Sequence, residues 1–163
     1  MKASELLKHQ HQEVKAIFKQ LEDKKGNAKA LLEKLANSLS AHMVIEQELF
    51  YPAVLEVDED LVLESYEEHA VARFALKRLL KTDPDNQTFI ARVTTLKELI
   101  EHHVEEEEDD LFPKAEKALG ERSQDLCREM KSLFAKTEEE GYARTIGRGG
   151  AAVTSATVAH AQR

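Results

Sequence analysis

Four histidines and two glutamates carry the chemistry that this sequence can do. His42 stands four residues before Glu46, and His103 four residues before Glu107. At about 100° per residue, side chains four apart leave the same side of a helix one turn apart, so both members of a pair can reach one metal cluster. The two segments also echo one another. In His42-Met-Val-Ile-Glu46-Gln-Glu-Leu-Phe50-Tyr-Pro52 and His103-Val-Glu-Glu-Glu107-Glu-Asp-Asp-Leu-Phe112-Pro113, a proline follows the glutamate by six residues.

Register strengthens this spacing. Phe89, Val93, Leu96, Ile100, His103, Glu107 and Leu111 recur at steps of three or four, which is the inward stripe of an amphipathic helix. Leu35, Leu39, His42, Glu46, Leu49 and Ala53 form a second stripe. Leu7, His11, Val14, Phe18 and Leu21 form a third, and Val62, Tyr66, His69, Leu76 and Leu80 a fourth. Each stripe thus holds one histidine.

One inward histidine is ordinarily a core residue with its ring nitrogens hydrogen-bonded. An inward glutamate is rarer, because an unpaired buried carboxylate costs several kcal/mol or takes up a proton. Two such glutamates, each one turn from a histidine, call for cations. Imidazoles and carboxylates without thiolate suit iron, manganese or zinc, and two carboxylates can bridge a pair of ions while histidines cap the outer positions. Cys127, the single cysteine, excludes an internal disulfide and any cysteine-based cluster, and reads as a small buried hydrophobe.

Other polar residues fall off these stripes. His9 lies about 200° round the helix from His11, and His102 is one step off His103, so both read as solvated or as neighbours of the ligands. In the acidic run from Glu105 to Asp110 only Glu107 has inward register, and the others read as a solvated face. His160 has no role in this scheme.

The elements that position these residues are helices, since good helix formers dominate and glycine and proline are scarce before the C-terminus. The first is expected from an N-cap at Ser4 to about Asp23, the second from Ala28 to Tyr51 ahead of Pro52, and the third from the acidic cluster Asp58, Glu59 and Asp60 to Lys81. The fourth runs from about Gln87 to Leu111 before Pro113. A shorter fifth, Glu121 to Thr137, shows Leu126, Met130, Leu133 and Phe134 on one side. The expected architecture is all-α: an up-down-up-down four-helix bundle with a short C-terminal helix over residues 1–138, then a flexible Gly/Ala-rich tail over 139–163.

The chain has 163 residues, 42% of them hydrophobic, enough for one domain with a sizeable core. Asp and Glu outnumber Lys and Arg by 31 to 23, a net charge of -8, which argues against nucleic acid or an anionic membrane as partner. No apolar run is long enough to span a bilayer, and a cytoplasmic location is the default expectation.

His11, His42-x-x-x-Glu46, Glu68-His69 and His103-x-x-x-Glu107 together resemble the hemerythrin-like HHE cation-binding domains, over about Ser4 to Lys114. The resemblance implies two iron ions with an oxo or hydroxo bridge. His11 and His42 would serve one iron, His69 and His103 the other, and Glu46 and Glu107 both. One departure is informative. Oxygen-carrying hemerythrins have a second histidine four residues after the third-helix histidine, where this chain has Arg73. The guanidinium either turns out to solvent or holds an anionic ligand, and in both cases one iron stays open.

Three functional classes fit this pattern. The first is a di-iron protein reacting with hydrogen peroxide, oxygen or nitric oxide, with catalase-like or peroxide-reducing turnover in stress defence. The second is a module that binds oxygen, nitric oxide or iron without turnover and signals to a protein partner through the segment after Glu121. The third is a structural metal that closes the bundle.

Overall fold

A computed structural model describes residues 1–147, so the end of the expected tail, His160 included, lies outside the described residues. The helices are α1 (Ala3–Glu22), α2 (Ala28–Ile45), α3 (Tyr51–Val54), α4 (Glu59–Leu80), α5 (Phe89–Glu106), α6 (Phe112–Leu119), α7 (Arg122–Glu140) and α8 (Tyr142–Thr145). The long helices α1, α2, α4 and α5 form the bundle. α1 packs on α2 and α5, and α4 on α5 and α2, which closes the ring. Short connections between long helices make successive ones antiparallel.

Local chemistry explains most boundaries. Asn27 caps α2 by accepting from the Ala30 amide at 3.0 Å, and Asp58 caps α4 by accepting from Leu61 at 3.3 Å. Ser4, expected as a cap, lies inside α1 and is buried. The free amides there are met from the other end of the chain: Ala3 N donates to Ser123 Oγ at 2.9 Å and Ser4 N to Glu116 Oε1 at 3.1 Å. Sequence neighbours carry no trace of such a tertiary cap.

Pro52 and Pro113 do not end their helices as expected. After Ile45 the chain makes a wide π turn over Glu46–Phe50 and continues as α3, and after Glu106 a second π turn over Glu107–Leu111 leads into α6. Tyr51 N donates to Glu46 O, and Phe112 N to Glu107 O, in five-residue steps. The extra residue in each turn relieves the clash and missing donor that Pro52 and Pro113 would bring to a regular α-helix. It also rotates everything beyond it. Leu49 and Ala53, expected inward, are half-buried, while Phe50, Tyr51 and Val54 are buried.

The C-terminal segment is longer than expected. α7 reaches Glu140, Gly141 reverses the chain at φ 79°, and α8 returns to α2, where Tyr142 N donates to Asn37 Oδ1 at 2.8 Å. Tyr142 and Ile146 pack on the core and Thr145 is buried, so residues 139–146 differ from the flexible tail expected there. Cys127 is buried beside Met130.

The core has two apolar parts. One holds Val14, Phe18, Leu35, Leu39, Leu76, Val93, Leu96 and Ile100. The other holds Leu7, Ile45, Phe50, Tyr51, Val62, Leu111, Phe112 and Met130. His11, His42, His69 and His103 each fall between a residue of one part and a residue of the other on their own helices, so they form a polar layer between two apolar ones.

Candidate metal centre

The polar layer is built from one histidine on each long helix of the bundle and the first residue of each π turn. All six side chains are buried, and Glu46 and Glu107 are wholly so. The imidazoles face one another in pairs. His11 Nε2 lies 3.1 Å from His42 Nε2, and His69 Nε2 lies 3.0 Å from His103 Nε2. Glu46 spans the pairs, with Oε1 3.1 Å from His42 Nε2 and Oε2 3.2 Å from His69 Nε2. Glu107 Oε2 lies 3.4 Å from His11 Nε2 and 3.5 Å from His103 Nε2.

These distances describe convergence on shared points. Both oxygens of Glu46 and Oε2 of Glu107 are buried and accept no hydrogen bond. An orphaned buried carboxylate is costly, and it is relieved when a cation sits among the lone pairs. Ligands held about 2.1 Å from one ion stand roughly 3.0 to 3.5 Å apart. His11, His42, Glu46 and Glu107 form one group that could hold a metal ion and Glu46, His69 and His103 a second, each with its ligand atoms within 4.8 Å.

Outer partners fix three of the rings. His42 Nδ1 faces Gln10 Oε1 at 2.8 Å, His11 Nδ1 faces Glu108 Oε1 at 2.8 Å, and His103 Nδ1 faces Glu68 Oε2 at 2.6 Å. Each acceptor holds the Nδ1–H tautomer and aims Nε2 inward, as acceptors do behind metal-bound histidines. Glu108 corrects an expectation. The expected place was a solvated face, but the next step round the π turn from Glu107 faces α1 and meets His11.

Without metal, protons take the place of cations. Burial works against charge on His11, yet Glu107 and Glu108 outweigh it and raise its pKa to about 9. For His103 burial is likewise outweighed, by Glu107 and Glu68, again to about 9. Burial and the charge on His11 push His42 well below its ordinary value. Burial takes His69 down to about 4 despite Glu46. Each imidazole pair thus shares one proton. Burial and the neighbouring Glu107 raise the Glu46 carboxyl, while Glu107, although also penalised by burial, is held ionised by His103 and His11.

Tyr51 was missed by sequence reasoning. Its hydroxyl donates to Glu107 Oε1 at 2.8 Å and lies 3.2 Å from His69 Nε2 and 3.4 Å from His103 Nε2. A regular helix would place Tyr51 off the stripe, and only the π turn brings it inward. Arg73 also departs from the simpler expectation. It is buried rather than turned to solvent, and its guanidinium donates to Gln47 Oε1. Tyr51, not Arg73, stands beside His69. His9 is exposed, and His102 lies outside the layer.

A cavity of about 10 Å³, room for one water-sized body, abuts all four histidines and is otherwise lined by apolar residues such as Leu39, Met43 and Ile100. A surface groove of about 470 Å³ between α1 and α5 shares His11, Ile100 and Val104 with it. No helix among the described residues is long and apolar enough to cross a membrane.

Three comparisons bear on this arrangement. The sequence pattern of the hemerythrin HHE cation-binding domain matches residues 2–115. A solved hemerythrin HHE cation-binding domain-containing protein from Mycobacterium kansasii superimposes with a TM-score of 0.78 at 22% identity, covering 99% of each chain. A protein from Nostoc sp. described as a DNA nickase is 24% identical over 153 residues. The alignment covers 91% of this chain and only 44% of the length of that relative, so the chain spans less than half of it.

Proposed function

Because the chain belongs to the hemerythrin HHE cation-binding domain family, we propose that its polar layer holds two iron ions and that this centre reacts with a small oxidant such as hydrogen peroxide. His11 and His42 hold one ion, His69 and His103 the other, and Glu46 and Glu107 serve both. The observation that carries this reading is Glu46, whose two orphaned oxygens each approach a different imidazole pair. A single ion would not need a carboxylate spread across both pairs, and two ions so close need shared negative charge to offset their repulsion.

The residues present fit such a pair. Two bound irons supply electron transfer and a Lewis-acidic seat for a small ligand. The protein supplies the rest. Gln10, Glu108 and Glu68 hold three imidazoles in the tautomer that presents Nε2. Tyr51 holds a proton on Oη at the inner face of Glu107, where a reacting oxygen ligand could receive it. The groove between α1 and α5 leads a small ligand to His11, and the cavity among the four histidines has room for one water-sized body, which disfavours bulky ligands.

Turnover is favoured over reversible oxygen carriage by the residues beside His69. Where oxygen carriers place a second histidine, this chain has Arg73 turned to Gln47, and a phenol stands at the ring instead. The test is iron analysis of the full chain after anaerobic loading, followed by peroxide consumption. About two irons per chain with sustained peroxide loss is the expected result. One iron per chain, or two irons with a stable oxygenated spectrum that vanishes on removing oxygen, overturns it.

A further inference from the structure

A second constellation lies on the outside of the bundle, one step round α5 from His103. His102 Nε2 stands 3.5 Å from Glu106 Oε1, one turn along the same helix, and 3.7 Å from Glu68 Oε1 on α4. One ligand atom from each of the three lies within 4.8 Å of the others. Glu106 Oε2 is buried without a hydrogen-bond partner, although the side chain as a whole is half-exposed.

We propose that Glu68, His102 and Glu106 form a separate divalent-cation site at the solvent-facing side of the α4–α5 pair. The spacing is the first argument. Distances of 3.5 and 3.7 Å are too long for hydrogen bonds, yet lie within a few tenths of an ångström of the separation of two ligands on one ion. The chemistry is the second. One imidazole and two carboxylates are the donor set of an open, water-completed site for zinc, manganese or ferrous iron. The third is Glu106 Oε2, a buried oxygen without a hydrogen-bond partner that a cation would relieve.

His102 is 64% exposed along its side chain, so the ion exchanges with solvent, unlike anything held in the buried layer. Glu68 has a second attachment, since its other oxygen holds His103 Nδ1 at 2.6 Å. Changing Glu68 would therefore disturb both places, whereas His102 and Glu106 report on the outer site alone.

The probe is Mn2+ added to iron-loaded full-length protein and followed by loss of the aqueous Mn2+ electron-spin signal, with iron content measured in parallel. One Mn2+ should bind beyond the iron. H102A and E106Q should each weaken it at least tenfold and leave iron content unchanged. His9→Ala, which alters an exposed histidine on α1, should change neither. Zn2+ should displace the bound Mn2+. Failure of Mn2+ to bind wild type at millimolar concentration, or equal binding by H102A, overturns the outer site. Loss of iron from all forms would instead count against the buried centre, because the difference between wild type and H102A still reads the outer one.

Discussion

The Tyr51 hydroxyl donates to Glu107 Oε1 at 2.8 Å from a position that a regular helix would turn away from the core. This bond supplies an acceptor oxygen of Glu107 with its partner while leaving Oε2 toward His11 and His103. Tyr51→Phe keeps the ring and removes the donor. The metal-free protein should lose about 1 to 3 kcal/mol, because a buried carboxylate oxygen then has no partner. The iron-loaded variant should keep both ions and consume peroxide at least tenfold more slowly, read by iron analysis and oxygen evolution. Unchanged turnover with intact iron would remove Tyr51 from the chemistry.

Glu46 and Glu107 should matter more than any one imidazole. Glu46→Ala or Glu107→Ala should lose at least one iron per chain, since each carboxylate approaches both imidazole pairs. Glu105→Ala should retain both ions, as its side chain lies on the exposed face. Elemental analysis with circular dichroism separates metal loss from unfolding. Two irons per chain in Glu46→Ala would show that the bridge is not needed.

Glu108 and Glu68 act through the rings they hold. Glu108→Ala should free His11 Nδ1, and Glu68→Ala should free His103 Nδ1, each weakening iron retention about 10-fold to 100-fold without emptying the centre. Competition with a chelator reads this directly. Glu108→Gln, which can still present an oxygen to Nδ1–H, should recover most of the loss. No difference between Glu108→Ala and wild type would return this residue to the solvated face.

The outcome for Glu108 shows where sequence reasoning ends. That His11, His42, Glu46, His69, His103 and Glu107 would face one layer was readable, because a polar residue inside an apolar stripe must point inward. The bundle was readable from the same stripes. Gln10, Glu68 and Glu108 were not, since each acts on a histidine of a neighbouring helix and their roles depend on how two helices face each other. Tyr51 was hidden for another reason. Pro52 and Pro113 are ordinary signs of a helix end, and periodicity cannot tell a stop from a one-residue widening that lets the helix continue. Arg73 in turn defied the usual rule that a long cation reaches water, because Gln47 on the first π turn meets its guanidinium inside.

The protonated imidazoles make the stability of the metal-free chain depend on pH. His11 and His103 rise from 6.5 to about 9 on folding. A group whose pKa is raised on folding contributes stability that is complete below its unfolded value and is lost as pH climbs through the folded one. The melting temperature without metal should therefore fall between pH 6.5 and 9. His42 and His69 offset this only near the low end, where their unfolded forms still hold part of their protons; above about pH 7.5 they are neutral in both states, so the fall is steepest there. Iron binding must displace the same protons, so the gain in melting temperature from metal should grow over the same range. Scanning calorimetry with and without chelator checks both slopes. A flat metal-free profile would mean that the pairs do not share protons.

The two π turns make the last prediction. Deleting Glu48, an exposed residue inside the first turn, removes the extra residue that relieves Pro52 and returns the segment to α-helical register. Everything beyond it then rotates back by about 100° relative to Glu46. Tyr51 leaves Glu107, Phe50 and Val54 leave the apolar layer beneath the site, and the Pro52 ring meets the carbonyl one turn before it. The cost should be about 3 kcal/mol or more from the proline alone. Alanine substitution at Glu48 keeps the count of residues and should cost no more than about 1 kcal/mol, the worth of an exposed side chain's polar contact. Thermal melts of the two variants, with iron content measured on each, make the comparison. If the deletion melts and binds iron as the alanine variant does, the widening of the helix at Glu46 has no part in placing Tyr51 or in tolerating the proline.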